Sequence, residues 1–292
     1  MTYKKIIVAA CLMALSTSTM MFTSCKKNKL TDAEISAVQD GATADGTSQE
    51  TQNLAEQAKM LGSGNMRMAA DYCSMLSGCA TITNDTINNG SNPDTLTIDF
   101  GSNPCMCRDS RFRSGKIVIS YTGHYHDAGA VIDMHFVNYS VGPSTSDMYT
   151  VDNSSTKHIV NNGLYNGTTF FSWSITSNMS ITKSGGAGTI TFTESKTRVQ
   201  FAGDPNHYNT ANKFYISGSA NGTAANGTGY TAATASGKDL VRDMSCRKHF
   251  TQGELDITPS GKSMIAIDFG SGTCDNTATI TRNGVTRTIT LR

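Results

Sequence analysis

From about residue 78 to its C terminus, the chain alternates apolar and polar residues with a period of two, and this alternation restricts the fold more than any other feature. It is clearest in DTLTIDF (94–100), KIVISYT (116–122) and AVIDMHFVNYS (130–140). A period of two places successive side chains on opposite faces of a strand. Charged residues are 16% of the chain, below the ~25% of an average soluble domain. We therefore expect an all-β fold of antiparallel meanders, as a sandwich or an elongated pair of sheets.

The alternation also assigns faces and further strands. Strict alternation in 130–140 puts Tyr139 on the same face as Asp133 and His135. Asn283-Gly284 suits the type I′ turn of a tight hairpin. The β region, residues 78–292, is long enough for one domain or for two pseudo-repeats at about 78–160 and 161–292. Further strands are predicted at 168–176, 188–194, 197–203, 213–220, 229–236, 253–259, 264–270, 277–282 and 285–292.

An internal repeat organises the cysteines. TLTIDFGSNPCMC (95–107) matches SMIAIDFGSGTCDN (263–276), and both contain the letters IDFGS with a cysteine five residues after the phenylalanine. A second cysteine lies 26 residues upstream in one copy and 28 in the other. Of the eight cysteines, Cys11 and Cys25 belong to the N-terminal export segment described below, which leaves six. An even number of cysteines in an exported chain indicates disulfides, and six allow fifteen connectivities. Zinc binding is the alternative, although the two cysteines of CMC (105–107) are closer together in sequence than those of the usual C-x₂-C zinc knuckle. The repeat favours Cys246–Cys274 and Cys79–Cys105, which leaves Cys73 for Cys107.

The N terminus has the layout of an export signal. Lys4 and Lys5 precede the apolar run IIVAACLMAL (6–15), which is too short to span the ~30 Å of bilayer hydrocarbon as a helix. The segment that ends at Cys25 resembles the lipobox of bacterial lipoproteins, which implies cleavage after residue 24 and acylation of Cys25. An ordinary secretory signal with Cys25 as a stray thiol is the alternative. Lys26 is not the aspartate that retains enteric lipoproteins at the inner membrane. We therefore expect a lipid anchor in the outer membrane, with a periplasmic orientation slightly favoured over the cell surface.

Residues 25–77 are polar and carry short helical signals. TDAE (31–34) has the spacing of a capping box, GATADGTS (41–48) interrupts the pattern, and QETQNLAEQAKML (49–61) is a fair helix. None of these segments has a broad apolar face. We therefore expect a lipidated tether with short helices that holds the β region away from the membrane.

Two long segments carry a family resemblance. CRDSRFRSGKIVISYTGHYHDAGAVIDMHFVNYSV (107–141) and the stretch from Ser245 to Arg292, which contains CDN and the last hairpin, resemble uncharacterised lipoproteins of Bacteroidota. The resemblance supports an outer-membrane location and the all-β fold, and it implies no activity. Bacteria of this kind O-glycosylate exported proteins at Asp-Thr followed by an aliphatic residue, so Thr86 and Thr95 are candidate sites.

Candidate ligand-binding residues are few. His124 and His126 lie two residues apart beside Asp127, and such a set could hold a divalent metal, although an exposed turn explains it as well. Tyr121, Tyr125 and Tyr139 could form an aromatic platform for a sugar. Trp173 is interpreted as a core residue. Nucleophile-elbow, zinc-protease, Walker and Rossmann motifs are missing from the sequence, and no cofactor is expected.

The net charge of the chain bears on which classes of molecule it could bind. The formal net charge is +1, and removal of the first 24 residues leaves −1. This balance gives no reason to expect nucleic acid as a partner. The sequence predicts a non-enzymatic lipoprotein with a structural or protein-interaction module, which would contact the membrane through its lipid and an envelope protein or glycan through its β region. A glycan-binding lipoprotein is the alternative, followed by a metal-assisted hydrolase.

Overall fold

The computed structural model describes residues 30–62, 76, 78–85, 94–123, 125–206, 209–246 and 249–291. These ranges contain one long helix, α1 (Asp32–Gly62), one short 3-10 turn (Ser184–Gly186) and sixteen strands. The strands are β1 (Thr81–Asp85), β2 (Asp94–Asp99), β3 (Cys105–Met106), β4 (Phe112–Tyr121), β5 (Val131–Ser144), β6 (Asp147–Val151), β7 (Thr156–Leu164), β8 (Phe171–Lys183), β9 (Thr189–Ala202), β10 (Lys213–Thr223), β11 (Gly229–Thr234), β12 (Leu240–Asp243), β13 (Gln252–Pro259), β14 (Ile265–Ser271), β15 (Thr277–Arg282) and β16 (Val285–Thr290).

All sixteen strands belong to a single antiparallel sheet. Its main path runs β1-β2-β4-β5-β6-β8-β9-β10-β11-β13-β14-β15-β16. Strand β3 pairs with β4, β7 joins β5 to β8, and β12 joins β10 to β13. The predicted all-β antiparallel class is confirmed. At the last hairpin, Asn283 and Gly284 both have positive φ, as a type I′ turn requires.

The sheet coils around helix α1. Strands near both edges contact the helix: β1 and β2 at one edge and β13 towards the other. Gln39 donates a hydrogen bond from Nε2 to the carbonyl oxygen of Thr290, at the end of the last strand, at 3.4 Å. Every residue from Glu34 to Ala58 is buried or partly buried. The helix is therefore an internal element, and residues 34–58 are not the external spacer that the sequence predicts.

The predicted interruption of the helix at 41–48 is also wrong. Residues 41–48 continue α1 without a break. A Cβ on Gly41 would lie 2.9 Å from Cδ1 of Ile257 on β13, so a glycine permits the close approach of helix and sheet. Packing of the whole helix outweighs the cost of about 1 kcal/mol that an internal glycine adds.

Two apolar clusters fill the remaining space between helix and sheet. Ala44, Leu54 and Ala58 of α1 pack with residues from β2 to β10, including Trp173, which is 1% exposed as the sequence predicts. Ala37 and Val38 pack with residues from β10 to β16. The two halves of the helix thus bind the two halves of the sheet.

A β-bulge changes the face of Tyr139. The pairing between β4 and β5 shifts between Ser114 and Lys116. Gly115 has a φ of 77° and Asn138 has a φ of 52°. The extra residue of the bulge reverses the alternation, so Tyr139 points inward and is fully buried, whereas His135 is exposed. The prediction that the two side chains share a face is wrong for this reason.

The repeat predicted from the sequence is visible at both ends of the chain. Disulfides join Cys79 to Cys105 and Cys246 to Cys274, the two pairs assigned from the repeat. In each copy the aspartate of IDFGS accepts a hydrogen bond from the glycine N–H two residues later, at 2.8 Å. Cys107 is buried and bonds to no cysteine among the described residues. Cys73 lies outside those residues, so the third pair stays a prediction.

Candidate functional site

The interface between α1 and the sheet gathers most of the buried charge in the described part of the molecule. From Glu34 onward, every acidic residue of α1 forms an ion pair with a basic residue of the sheet or of its connections. Successive acidic residues are five or six positions apart and point in different directions around the helix. The pairs are Glu34–Arg282, Asp40–Lys183, Asp45–Lys196, Glu50–Arg111, Glu50–Arg113 and Glu56–Arg198.

Glu50 is the centre of the largest group. Arg113 on β4 donates from Nε to Glu50 Oε1 at 3.0 Å and from Nη1 to Asp109 Oδ1 at 2.8 Å. Arg111 contacts the second oxygen of Glu50. Burial by itself raises the pKa of Glu50, but the two arginines outweigh it and lower the pKa to about 2. Glu50 is therefore ionised across the physiological pH range.

A second group lies one turn earlier on the helix. Lys157 donates to the carbonyl oxygen of Ser48 at 2.8 Å and lies 3.6 Å from Glu194. Burial lowers the pKa of Lys157 to about 8, although Glu194 opposes the shift. Lys196 on β9 bridges Glu194 and Asp45. Two lysines thus balance two carboxylates in a region without solvent.

The two ends of the helix are fixed by further contacts. At the N terminus, the Glu34 carboxylate accepts from Thr31 N–H at 2.8 Å, and Glu34 N–H donates to Thr31 Oγ1 at 3.3 Å, which completes the predicted capping box. The same carboxylate contacts Arg282. At the other end, the guanidinium of Arg198 lies 3.7 Å from the ring centroid of Phe214 and pairs with Glu56. Lys59 lies over the ring of Tyr121, at 3.3 Å from its centroid.

The three tyrosines proposed as a sugar platform do not present their rings to solvent together. Tyr121 is 4% exposed and Tyr139 is fully buried. Tyr125 is partly buried and donates from its hydroxyl to Glu56 Oε1 at 2.5 Å. These rings form part of the core beneath α1, so the predicted platform is absent. The bulge at Asn138 turns Tyr139 inward, and Tyr121 and Tyr125 pack with the apolar core.

The remaining sequence candidates are placed as follows. The ring of His126 packs against Phe171 with centroids 5.0 Å apart. His124 lies outside the described residues, so the metal pair with Asp127 stays a prediction. Within the described ranges, no group of three or more His, Cys, Asp or Glu residues could hold a metal ion. Thr95 on β2 is partly exposed. Thr86 and Cys25 also lie outside the described residues.

The charged residues of the interface were not among the sites predicted from the sequence. Lys157, Glu194, Lys196 and Arg198 all occupy inward positions of strands, where the alternation predicts apolar residues. Their signal is a charged residue in phase with the apolar face, matched by regularly spaced acidic residues in α1. The chemistry that this arrangement performs is charge pairing, which locks the helix inside the sheet.

Helices in the described part of the chain lack the combination of length and hydropathy that crossing a membrane requires. Comparison of the chain with protein-family models, with curated proteins and with solved structures finds no match in any of the three.

Proposed function

We propose that this protein is an outer-membrane lipoprotein, anchored through Cys25, whose β region is a non-enzymatic structural or protein-interaction module. The observation that carries the proposal is the occupation of the sheet interior by α1. Charged side chains that a catalytic site could use are paired with one another and buried. Such an interior supports a rigid body better than a reactive cleft.

The position of α1 also limits the distance between the β region and the membrane. Leu30 is 2% exposed and Glu34 is paired with Arg282. Four residues lie between Cys25 and Leu30, and an extended chain from one to the other spans at most about 18 Å. The proposal therefore places the sheet close to the lipid surface, without a long spacer. A periplasm-facing position remains the favoured orientation.

Fractionation of the native host tests the anchor. We expect the wild-type chain in the outer-membrane fraction, and we expect Cys25→Ser to be lost from that fraction as a precursor that keeps its signal peptide, because acylation requires the thiol. Globomycin, which blocks lipoprotein signal peptidase, should give an unprocessed wild-type precursor. Recovery of Cys25→Ser in the outer membrane, or normal processing in globomycin, would contradict the anchor.

A further inference from the structure

Three buried side chains of the α1 interface meet without forming hydrogen bonds to one another. Asp45 of α1 and the β9 residues Glu194 and Lys196 are each 5% exposed or less. Lys196 Nζ contacts Asp45 Oδ1 and lies 3.5 Å from Glu194 Oε2. Within the described structure, none of these three atoms has a hydrogen-bond partner. The amine therefore touches the carboxyl group of Asp45 in an arrangement that is not a hydrogen bond.

The Asp45–Lys196 pair differs in this respect from the other ion pair that α1 forms with a lysine. Lys183 donates a hydrogen bond to Asp40 at 2.8 Å, and its side chain is 18% exposed. The remaining partners of α1 are arginines, which stay protonated and do not act as amine nucleophiles. Among the ion pairs of α1 in the described residues, Asp45–Lys196 alone places a lysine against a carboxyl group in a site closed to water.

Glu194 is held in one orientation beside this pair. Its Oε1 accepts a hydrogen bond from Ser177 Oγ at 2.7 Å and another from Ser48 Oγ. Lys157 Nζ lies 3.6 Å from the same oxygen. These contacts occupy Oε1 and leave Oε2 facing the amine of Lys196. Glu194 therefore presents a fixed proton acceptor to Lys196.

The protonation of the three groups suits a transfer among them. Burial raises the pKa of Asp45, which favours the carboxylic acid over the carboxylate. Burial by itself lowers the pKa of Lys196, but Asp45 and Glu194 outweigh it and raise that pKa. The amine therefore holds its proton in the ion pair and must lose it before the nitrogen can attack a carbonyl carbon. Glu194 lies where such a proton could be received.

We propose that Lys196 and Asp45 become joined by an amide bond between Nζ and Cγ, which links α1 covalently to β9. One ammonium proton passes to the Asp45 carboxylate, which becomes a carboxylic acid. As the C–N bond forms at Cγ, Glu194 takes a second proton from the nitrogen. Glu194 returns this proton to the departing hydroxyl group as the C–O bond breaks. One water molecule leaves, the amide nitrogen keeps the third hydrogen, and Glu194 is regenerated.

The fold supplies the conditions that this reaction needs. Groups fixed next to each other within one molecule react as if at effective concentrations of about 10⁵ M or more. Burial excludes the bulk water that would reverse the reaction by hydrolysis. The reaction occurs once in each folded chain and converts no external substrate, so it is compatible with a non-enzymatic module. It is also independent of the lipid anchor.

Peptide mass spectrometry of the full-length protein tests the proposal. Trypsin should release residues 30–59, which contain Asp45, and residues 184–198, which contain Lys196. In the wild type we expect one branched species of these two peptides, lighter than their sum by one water molecule. It should be uncut after Lys196, because trypsin requires a free lysine side chain. Fragmentation of the branched species should place the link at Asp45 and Lys196.

Substitutions separate this bond from an ion pair. Glu194→Gln should slow bond formation about a hundredfold or more, so that unlinked peptides predominate, because the proton carrier is lost. Lys196→Arg keeps the charge but lacks the amine, and it should give unlinked peptides alone. Lys183→Arg is the matched control, since it replaces the other lysine that pairs with α1. The control should leave the amount of branched peptide unchanged.

The digest of the wild type decides the proposal even if a variant fails to fold by circular dichroism. Recovery of the two wild-type peptides only in unlinked form would overturn it. A branched species that persists in Lys196→Arg would overturn the assignment of the bond to Lys196. Equal amounts of branched peptide in Glu194→Gln and the wild type would overturn the role of Glu194.

Discussion

At the scale of single residues, the buried ion pairs of α1 matter most. Glu50 and Arg113 are almost completely buried, and each satisfies the other's charge. A buried ion pair of this kind adds little to the free energy of unfolding compared with an apolar pair of the same size, because both charges lose their hydration on folding. Removal of one partner is different, since it leaves an uncompensated charge in the core. The pairs therefore specify the position of the helix more than they add to its stability.

Substitution of one partner tests this account. We expect Glu50→Gln to lower the free energy of unfolding by about 3–5 kcal/mol, because Arg113 would then remain charged with only Asp109 as a close partner. Urea denaturation monitored by circular dichroism measures the change.

An exposed pair supplies the control for that measurement. Lys238 and Glu254 lie 2.7 Å apart, and the Lys238 side chain is 58% exposed. Lys238→Ala should change the free energy of unfolding by about 1 kcal/mol or less, because solvent screens the pair. Equal effects of the two substitutions would show that the Glu50 pair is not buried as described.

At the scale of elements, α1 contains two glycines in different surroundings. A Cβ at Gly46 would meet no atom within 4 Å, whereas a Cβ at Gly41 would lie 2.9 Å from Ile257. Alanine is favoured over glycine in a helix by about 1 kcal/mol. The two positions therefore separate helix propensity from packing.

Alanine substitution at each glycine should give different results. Gly46→Ala should raise the melting temperature, because it gains helix propensity without a clash. Gly41→Ala should raise it less or lower it, because Ile257 must move. Differential scanning calorimetry measures both. A larger gain for Gly41→Ala than for Gly46→Ala would contradict the packing of α1 against β13.

Comparison of the predicted and observed strands shows how much of the fold can be predicted from the sequence. Alternation predicts β2, β14, β15 and β16 well, since their inner faces are mainly apolar. It divides β9 into two strands and misses β7, because Glu194, Lys196 and Lys157 face inward where apolar residues are expected. Local sequence cannot reveal these positions, since the charges are compensated by partners on another strand and on a helix more than a hundred residues away. The cysteine repeat succeeds because each disulfide closes a local unit.

The site predicted from three tyrosines near one another in sequence was wrong, because a bulge and core packing turned those rings inward.

At the scale of the whole molecule, the charged interface makes stability depend on pH. The pKa of Glu50 falls from 4.5 to about 2 on folding. A lowered carboxyl pKa stabilises the fold above the unfolded value, and that contribution is lost as the pH falls through the folded value. The shift corresponds to about 3 kcal/mol. The pKa of Glu194 is also lowered, in the same direction.

Acid unfolding should therefore begin below about pH 4.5 and steepen towards pH 2. In Glu50→Gln the dependence over this interval should be weaker, because the titrating group is gone. Urea unfolding at a series of pH values measures both curves. Superimposable pH dependence in the two proteins, after allowance for the lower stability of the variant, would contradict the assignment to Glu50.

The central claim is that α1 is an internal element of the folded sheet. Native-state hydrogen exchange with peptide-level mass spectrometry tests it most directly, because amide protection reports the free energy of opening. We predict that amides from Glu34 to Ala58 exchange as slowly as those of β8 and β9. Fast exchange throughout 34–58, with the strands still protected, would contradict the claim.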